Sequence, residues 1–373
     1  MSDHAFLAPS SASAWGPGGC PAYPRMAAAF PEDDGTLEAR EGDAAHWYVS
    51  ETALGRRPEM GAVAPKGHPV NEEMAECAWA MVTDMRAKIE DPAVMTATEQ
   101  RVEMPEIHPT LNWGRMDFGA IDPTKRILYA WDFKYGHGYV DVFENWQLVD
   151  YAVGAARHFG VTIDHTWTID NRIYQPRSFH EDGQIKRWVC DGARFLELRA
   201  QLAAAATAAV DPDAPMVTGA QCHHCPARHA CPALKRVGGV AMDMSLRGVP
   251  LELEPENAGL LLRMVRTARE RLEDLETGLD AFVSEALRSG VRIPGWEMKP
   301  GTARERWTQP VADVLALGAV LGVDLQKPVE PITPAQARKK GIDAAVISAY
   351  SERPPGAVKL QPVDEKDIRK AFQ

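Results

Sequence analysis

Residues 111–135 read LNWGRMDFGAIDPTKRILYAWDFKY, and this stretch decides the fold. Two runs of apolar and aromatic residues flank Asp122 and Pro123, a pair typical of a tight turn. The two runs therefore predict neighbouring strands that run antiparallel. The preceding run, residues 94–104, alternates roughly between apolar and polar residues and predicts another strand. Together these segments form a predicted three-stranded meander.

Helical patterns flank this meander on both sides. Residues 36–54 contain good helix formers and no proline, and Asn71 is placed to cap a second helix. After the meander, residues 143–160 show helical apolar spacing and end at Gly160. Residues 161–174 then predict a fourth strand. The order helix, three strands, helix, strand indicates an α/β core.

The remainder of the chain is expected to be largely helical. A helix over residues 194–210 leads to a cysteine-rich run, and residues 256–289 have the apolar steps of four and three that a long amphipathic helix shows. At 1.5 Å per residue this helix would be about 50 Å long. We expect a core domain over residues 1–240 and a C-terminal extension over residues 241–373.

Composition places the chain among ordinary globular proteins, with 373 residues, 45% hydrophobic and 25% charged. Its start does not resemble a signal peptide, and no apolar run is long enough to span a bilayer. We therefore expect a cytoplasmic protein with no membrane partner. A net charge of −11 argues against a broad basic nucleic-acid surface. The acidic excess lies mainly outside residues 101–240, so DNA is not excluded.

Three polar residues of the meander suggest chemistry. Asp117 lies on the second predicted strand. Asp132 and Lys134 lie two residues apart on the third, so the side chains of these two residues share one face of the sheet. Phosphodiester cleavage uses carboxylates to hold a divalent metal and a lysine to orient or activate water. An Asp and a Lys at this spacing are also common as a solvated surface pair, so the pattern needs support.

Support comes from the flanking helices. Gln147 and Tyr151 are four residues apart on the helix after the meander and share one of its faces. His46 lies in the middle of the first helix, where an isolated histidine is more often structural. An imidazole among carboxylates would favour Mn²⁺ over Mg²⁺.

This ordered set of residues resembles the RecB-like branch of the PD-(D/E)XK nuclease superfamily. The resemblance covers about residues 36–175 and implies a restriction-endonuclease-like core of helix, three strands, helix and strand. It implies that a divalent metal, Mg²⁺ or Mn²⁺, has four ligands: His46, Asp117, Asp132 and the Phe133 carbonyl.

The same resemblance implies roles for the other polar residues. Lys134 corresponds to the catalytic lysine, and Gln147 with Tyr151 corresponds to the QxxxY helix that lies near the DNA. Met116 departs from the motif, since it stands where the superfamily name has a proline.

The run QCHHCPARHACPAL, residues 221–234, holds three cysteines at C-x2-C-x5-C spacing: Cys222, Cys225 and Cys231. A thiolate site for iron or zinc usually has four donors. AddB-type and CRISPR-adaptation members of the superfamily bind an iron–sulfur cluster through one cysteine before the core and three after it. The resemblance therefore implies Cys20 as the fourth ligand of a [4Fe-4S] staple. Zn²⁺ remains the alternative, because three histidines lie within the run.

Two cysteines have no partner at metal-ligand spacing. Cys77 falls in the middle of a predicted helix, and Cys190 follows Trp188 and Val189. We expect both to be buried thiols.

The resemblance implies a metal-dependent DNA nuclease. We expect an exonuclease that acts on DNA ends in phage or prophage recombination or repair, with DNA as substrate and a recombinase or single-strand annealing protein as a further partner. The alternative is a catalytically silent DNA-binding or recombinase-loading module that keeps the fold and the cluster.

Overall fold

The structure is a computed structural model that describes residues 5–30, 37–178, 180, 183–246, 255–299, 310, 312–313, 315–316, 320, 333–334 and 343–351. The chain divides into two compact units, Met1–Val291 and Arg292–Gln373. The second unit includes helix α9 (Ala344–Tyr350), which Asp343 caps. This helix agrees with the expectation that the C-terminal extension is largely helical, and residues 335–342 before it lie outside the described part. The domain boundary expected at residue 240 stays a prediction.

A five-stranded mixed sheet forms the centre of the first unit. Its strands in spatial order are β1 (Met95–Glu103), β2 (Trp113–Asp122), β3 (Ile127–Phe133), β4 (Thr168–Tyr174) and β5 (Ile185–Asp191). β3 and β4 are parallel, and the other neighbours are antiparallel. The predicted meander and the α/β class are thereby confirmed. β5 has no counterpart among the sequence predictions.

The described helices of the first unit are α1 (Ala12–Trp15), α2 (Tyr23–Ala29), α3 (Leu37–Ala53), α4 (Glu72–Lys88), α5 (Trp146–His158), α6 (Gly192–Ala209), α7 (Pro232–Leu246) and α8 (Pro255–Arg288). Four of them cover the two faces of the sheet. α3 and α4 pack on one face, and α5 and α6 pack on the other. None of α1, α2 and α7 was predicted from the sequence.

Capping residues explain where two of the predicted helices begin. Asn71 caps α4 as expected, since its Oδ1 accepts from the backbone N–H of Met74 at 2.9 Å. α5 begins at Trp146, three residues into the predicted run, because the Asn145 side chain accepts from two backbone N–H groups of the first turn. None of the described helices is both long and apolar enough to cross a bilayer.

α5 is the helical crossover that a parallel β3–β4 pair requires. It lies unusually close to the sheet at Gly154, where an added Cβ would stand 2.6 Å from Val102 Cγ2 and 2.8 Å from Met104 Sδ. Its buried residues include Leu148, and they extend without a break from there to residue 156. The helix therefore has a fixed depth against β1.

In β1 and β2 the regular alternation of side chains between the two faces of the sheet is interrupted, and the interruption falls at the same position in both strands. Ala97 and Val102 are five residues apart, yet both belong to the core on the α5 side, although a regular strand alternates faces at every residue. β2 makes the same change within residues 116–121. Both changes fall where Glu99 stands opposite Asp117, and Glu99 has a left-handed backbone with φ of 49°.

The N-terminal segment is fastened to the core through a buried polar contact. Leu7 donates its N–H to the Leu111 carbonyl at 3.0 Å, and Asn112 Nδ2 donates to both the Leu7 carbonyl and Asp150 Oδ2. Asp150 is fully buried on α5, and burial raises its pKa to about 8, although the Asn112 hydrogen bond acts in the opposite direction. The carboxyl is therefore protonated at neutral pH.

Replacing Asp150 by asparagine should make the protein more stable at alkaline pH. The folded state holds the Asp150 proton up to about pH 8, whereas an unfolded chain releases it near pH 4. The wild-type free energy of unfolding therefore falls as pH rises through this window, and Asp150→Asn escapes that loss. We expect its Tm to exceed that of wild type by several degrees at pH 8.5, and the difference to shrink toward pH 5. Asp213→Asn, which changes an exposed carboxylate, should show no such trend; equal melting profiles for Asp150→Asn and wild type would contradict the assignment.

Candidate metal centre and cysteine cavity

Asp132, Lys134 and Gln147 form a closed hydrogen-bonded triangle. Lys134 Nζ lies 3.0 Å from Asp132 Oδ2 and donates to Gln147 Oε1 at 2.9 Å, while Gln147 Nε2 donates to Asp132 Oδ1 at 2.7 Å. The sequence placed Asp132 and Lys134 on one face, and their contact confirms this. The triangle joins the end of β3 to the first turn of α5.

Asp132 is buried, with 2% of its surface exposed. Burial raises the pKa of its carboxyl, the Lys134 charge opposes this rise, and the nearby Asp117 carboxylate adds to it. Its Oδ2 atom accepts no hydrogen bond from any described residue, although Lys134 Nζ lies near it. The Lys134 ammonium, 3.0 Å away, is therefore the charge that offsets the cost of burying this oxygen.

Asp117 on β2 contacts both His46 of α3 and the backbone of Phe133 at the end of β3. Asp117 Oδ2 lies 3.6 Å from His46 Nδ1 and accepts from the backbone N–H of Phe133 at 2.8 Å. The β2–β3 ladder ends at the pair Phe118 and Trp131. The Asp117 carboxylate thus takes the Phe133 N–H just beyond the last ladder pair.

Glu99 completes this group, and the sequence reasoning did not identify it. One ligand atom each from His46, Glu99 and Asp117 lie within 4.8 Å of one another, as in no other set of three His, Cys, Asp or Glu among the described residues. Burial raises the Glu99 pKa to about 7, with a further rise from Asp117 and an opposing effect of Arg115. Glu99 could have been found from the antiparallel pairing of β1 with β2, because the register places Glu99 opposite Asp117.

The donor set fits a divalent cation. One imidazole and two carboxylates, from Glu99 and Asp117, are nitrogen and oxygen ligands that Mn²⁺ and Mg²⁺ accept. Asp132 lies near this close group, within reach of the charges of Asp117 and His46, but is not part of it. The close carboxylates of Glu99 and Asp117 point to a missing positive charge. The role of the Phe133 carbonyl stays a prediction. We call His46, Glu99 and Asp117 the metal centre, and the ligand role of Asp132 stays a prediction.

Tyr151 lies beside the metal centre and is held tightly. Its side chain is 6% exposed, and burial followed by the charges of Asp117 and Asp132 raises its pKa, against a hydrogen bond from Gln147. A Cβ on Gly114 would stand 3.1 Å from Tyr151 Cε1. The phenol is therefore packed between α5 and β2.

The four cysteines assigned to a cluster line one cavity: Cys20, Cys222, Cys225 and Cys231. None of them forms a disulfide. Burial raises the pKa of Cys225 to about 11, and the three other cysteines add to the rise. Cys77 and Cys190 are buried in the cores on opposite faces of the sheet, as predicted.

The sulfurs of the cysteine cavity are not drawn tightly together. Tetrahedral zinc with bonds of about 2.3 Å places its sulfurs about 3.8 Å apart. No three of these cysteine sulfurs lie within 4.8 Å of one another, and the choice between an iron–sulfur cluster and zinc stays a prediction. Two histidines of the run are engaged elsewhere, since His223 Nδ1 lies 3.2 Å from Asp274 Oδ1 and His229 packs between the rings of Phe30 and Phe282.

Distant segments enclose the cysteine cavity. Ala22 donates its N–H to the Pro215 carbonyl at 3.3 Å, and Cys20 Sγ accepts from the Val217 N–H at 3.3 Å. From α8, Arg271 donates to the Gly219 carbonyl and pairs with Asp274 at 3.0 Å. The middle of the long helix therefore packs on the cysteine run.

A comparison with protein families gives a match over nearly the whole chain. The model of a family described as a protein of unknown function matches residues 4–368. The matched range contains both the metal centre and the cysteine cavity.

Glu99→Gln should weaken Mn²⁺ binding by about tenfold or more, because it removes one charged ligand from the metal centre. Glu103→Gln is the matched control, since Glu103 is an exposed glutamate four residues along the same strand. Titration of Mn²⁺ followed by electron paramagnetic resonance measures both affinities directly. Equal Mn²⁺ affinity in Glu99→Gln and wild type would remove Glu99 from the ligand set.

Anaerobically purified protein should be brown and contain about four irons per chain, because four thiols line the cysteine cavity. Cys20→Ala should lose the colour and lower the Tm, whereas Cys77→Ala should keep the colour, since Cys77 lies in another core. Metal analysis and the visible spectrum decide this. Colourless protein with one equivalent of zinc would establish the alternative.

Proposed function

The chain belongs to the DUF2800 family, and on that premise we propose that it is a metal-dependent DNA nuclease with a PD-(D/E)XK core of the RecB-like type. The observation that carries this proposal is the contact of Lys134 with Asp132 and Gln147 beside the His46, Glu99 and Asp117 group. A solvated surface pair would not have its aspartate buried. Residues from α3, β1, β2, β3 and α5 converge on this one place.

Each residue of the proposed site has a separate task. A divalent cation bound at the metal centre would neutralise the negative charge that develops on the phosphate. Lys134 holds its ammonium group beside Asp132, where it can orient a water molecule for attack. Gln147 fixes the positions of both side chains by accepting from one and donating to the other. The Phe133 N–H keeps the Asp117 carboxylate turned toward His46.

The remaining parts of the proposal concern the cluster and the substrate. A [4Fe-4S] cluster in the cysteine cavity would join the N-terminal segment to the chain after the core and would stabilise the fold without taking part in hydrolysis. We propose DNA ends as the substrate and phage or prophage recombination or repair as the setting. A recombinase or a single-strand annealing protein is the proposed partner.

Lys134→Ala should lower cleavage of DNA by at least about a hundredfold and leave DNA binding nearly unchanged, because one lysine contributes more to the transition state than to a surface with many phosphate contacts. Lys125→Ala is the matched control, since Lys125 also pairs with an aspartate, Asp122, at 2.8 Å on the same sheet. Initial rates with end-labelled linear DNA and Mn²⁺ measure the effect, and anisotropy measures binding. Wild-type cleavage by Lys134→Ala would refute the assigned site.

Closed circular DNA distinguishes the modes of action. An exonuclease degrades the linear form and spares the circle, whereas an endonuclease cuts both. If wild type cuts neither form with Mn²⁺ or Mg²⁺ but still binds DNA, the catalytically silent DNA-binding or recombinase-loading module replaces the nuclease.

A further inference from the structure

An exposed strip of two arginines and a tryptophan leads away from the metal centre along β1 and β2. Arg115 precedes Asp117 by two residues, and Trp113 precedes Arg115 by two. Arg101 stands opposite Arg115 in the antiparallel register, so all three share a face. The opposite face is occupied by apolar residues such as Met116 and Val102, which lie in the core. We call Arg101, Trp113 and Arg115 the arginine–tryptophan strip.

One end of the strip reaches a groove that two residues of the metal centre also line. Arg115, Glu99 and His46 line the same open groove. With about 3.4 Å per residue in a strand, Arg115 lies about 7 Å and Trp113 about 14 Å along β2 from Asp117. These are distances of one or two nucleotides along an extended strand.

Charge makes the strip a site for an anion. Other cations of the groove are neutralised, since Arg56 pairs with Glu51 at 2.6 Å and Lys66 pairs with Asp43 at 3.0 Å. The guanidinium groups of Arg101 and Arg115 make no hydrogen bond or ion pair with any residue that the structure describes. Besides Glu99 of the metal centre, the strip faces one further acid on its strands, Glu103 opposite Trp113.

The tryptophan adds a surface for stacking. Trp113 is half-buried, and the Arg101 guanidinium carbon lies 3.9 Å from the centre of its ring. A flat ring held in place by a guanidinium and set beside exposed cations is the combination that binds single-stranded nucleic acid, in which bases stack and phosphates pair with arginine. A duplex keeps its bases inside the stack and would not use the ring.

We propose that the arginine–tryptophan strip binds a single DNA strand and guides it into the metal centre. The inference rests on the proposed function, because the strip begins at the residues assigned to cleavage. Arg115 and Arg101 would bind phosphates next to the scissile one, and Trp113 would stack on a base.

The test measures binding of a labelled single-stranded oligonucleotide by fluorescence anisotropy in EDTA, so that no strand is cut. Trp113→Ala should raise Kd about 5- to 150-fold, and Trp113→Phe should restore most of the affinity. Arg101→Ala and Arg115→Ala should each reduce the slope of log affinity against log salt by about 0.7, whereas Trp113→Ala should leave the slope unchanged. Thermal melting of each variant verifies folding.

A second arginine-stacked tryptophan provides the matched control. Trp79 on α4 is 45% exposed, and Arg86 lies 5.5 Å from its ring. Trp79→Ala and Arg86→Ala should bind the oligonucleotide like wild type. Wild-type affinity in the strip variants, or losses equal to those in the Trp79 and Arg86 variants, would overturn the proposal.

Two further outcomes separate this inference from the proposed function. If the strip variants bind duplex as poorly as single strands, the assignment to a single strand is wrong. If the strip variants lose single-strand binding while wild type cuts no DNA with any divalent metal, the strip is supported and the nuclease is refuted.

Discussion

The close approach of α5 to the sheet is the constraint on which the other features depend. Only a glycine at position 154 allows this helix to lie against Val102 and Met104. At that depth its first turn brings Gln147 to the end of β3, and its next turn wedges Tyr151 against β2. The outer side of the same helix receives the N-terminal segment, with Asp150 beneath it. A longer side chain at position 154 would displace the polar triangle and the N-terminal segment together.

Burial of charge gives the candidate site its chemical character. Asp132 is removed from water and yet faces an ammonium group, a second carboxylate and an imidazole. Such a group is unfavourable in a folded protein unless something compensates for it, and the hydrogen-bonded triangle does so only in part. Glu99, on β1, adds a further partly buried carboxyl group to the same place, and its pKa is raised there. The proposed cation would offset this accumulation of carboxyl groups.

The sequence predicted those elements whose pattern is local. A proline turn and two apolar runs were enough for the β2–β3 hairpin, and one asparagine was enough for the start of α4. It did not predict β5, because Lys186 is buried there and interrupts the apolar alternation by bonding to Gln175. Glu99 was missed for a different reason: both strands change faces at its position, and a rule of strict alternation cannot detect such a change.

The cysteine cavity has a consequence for synthesis of the chain. Cys20 and its backbone neighbours near Val217 are 197 residues apart. At 5 to 20 residues per second, a ribosome needs about 10 to 40 s to make the intervening chain. During that interval the Cys20 thiol has been synthesised but the segment that contacts it has not. The thiol is then open to oxidants and free metal ions in the cell. Delivery of the proposed cluster would therefore follow translation of the cysteine run, and the yield of loaded protein would depend on how fast that run emerges relative to damage at Cys20.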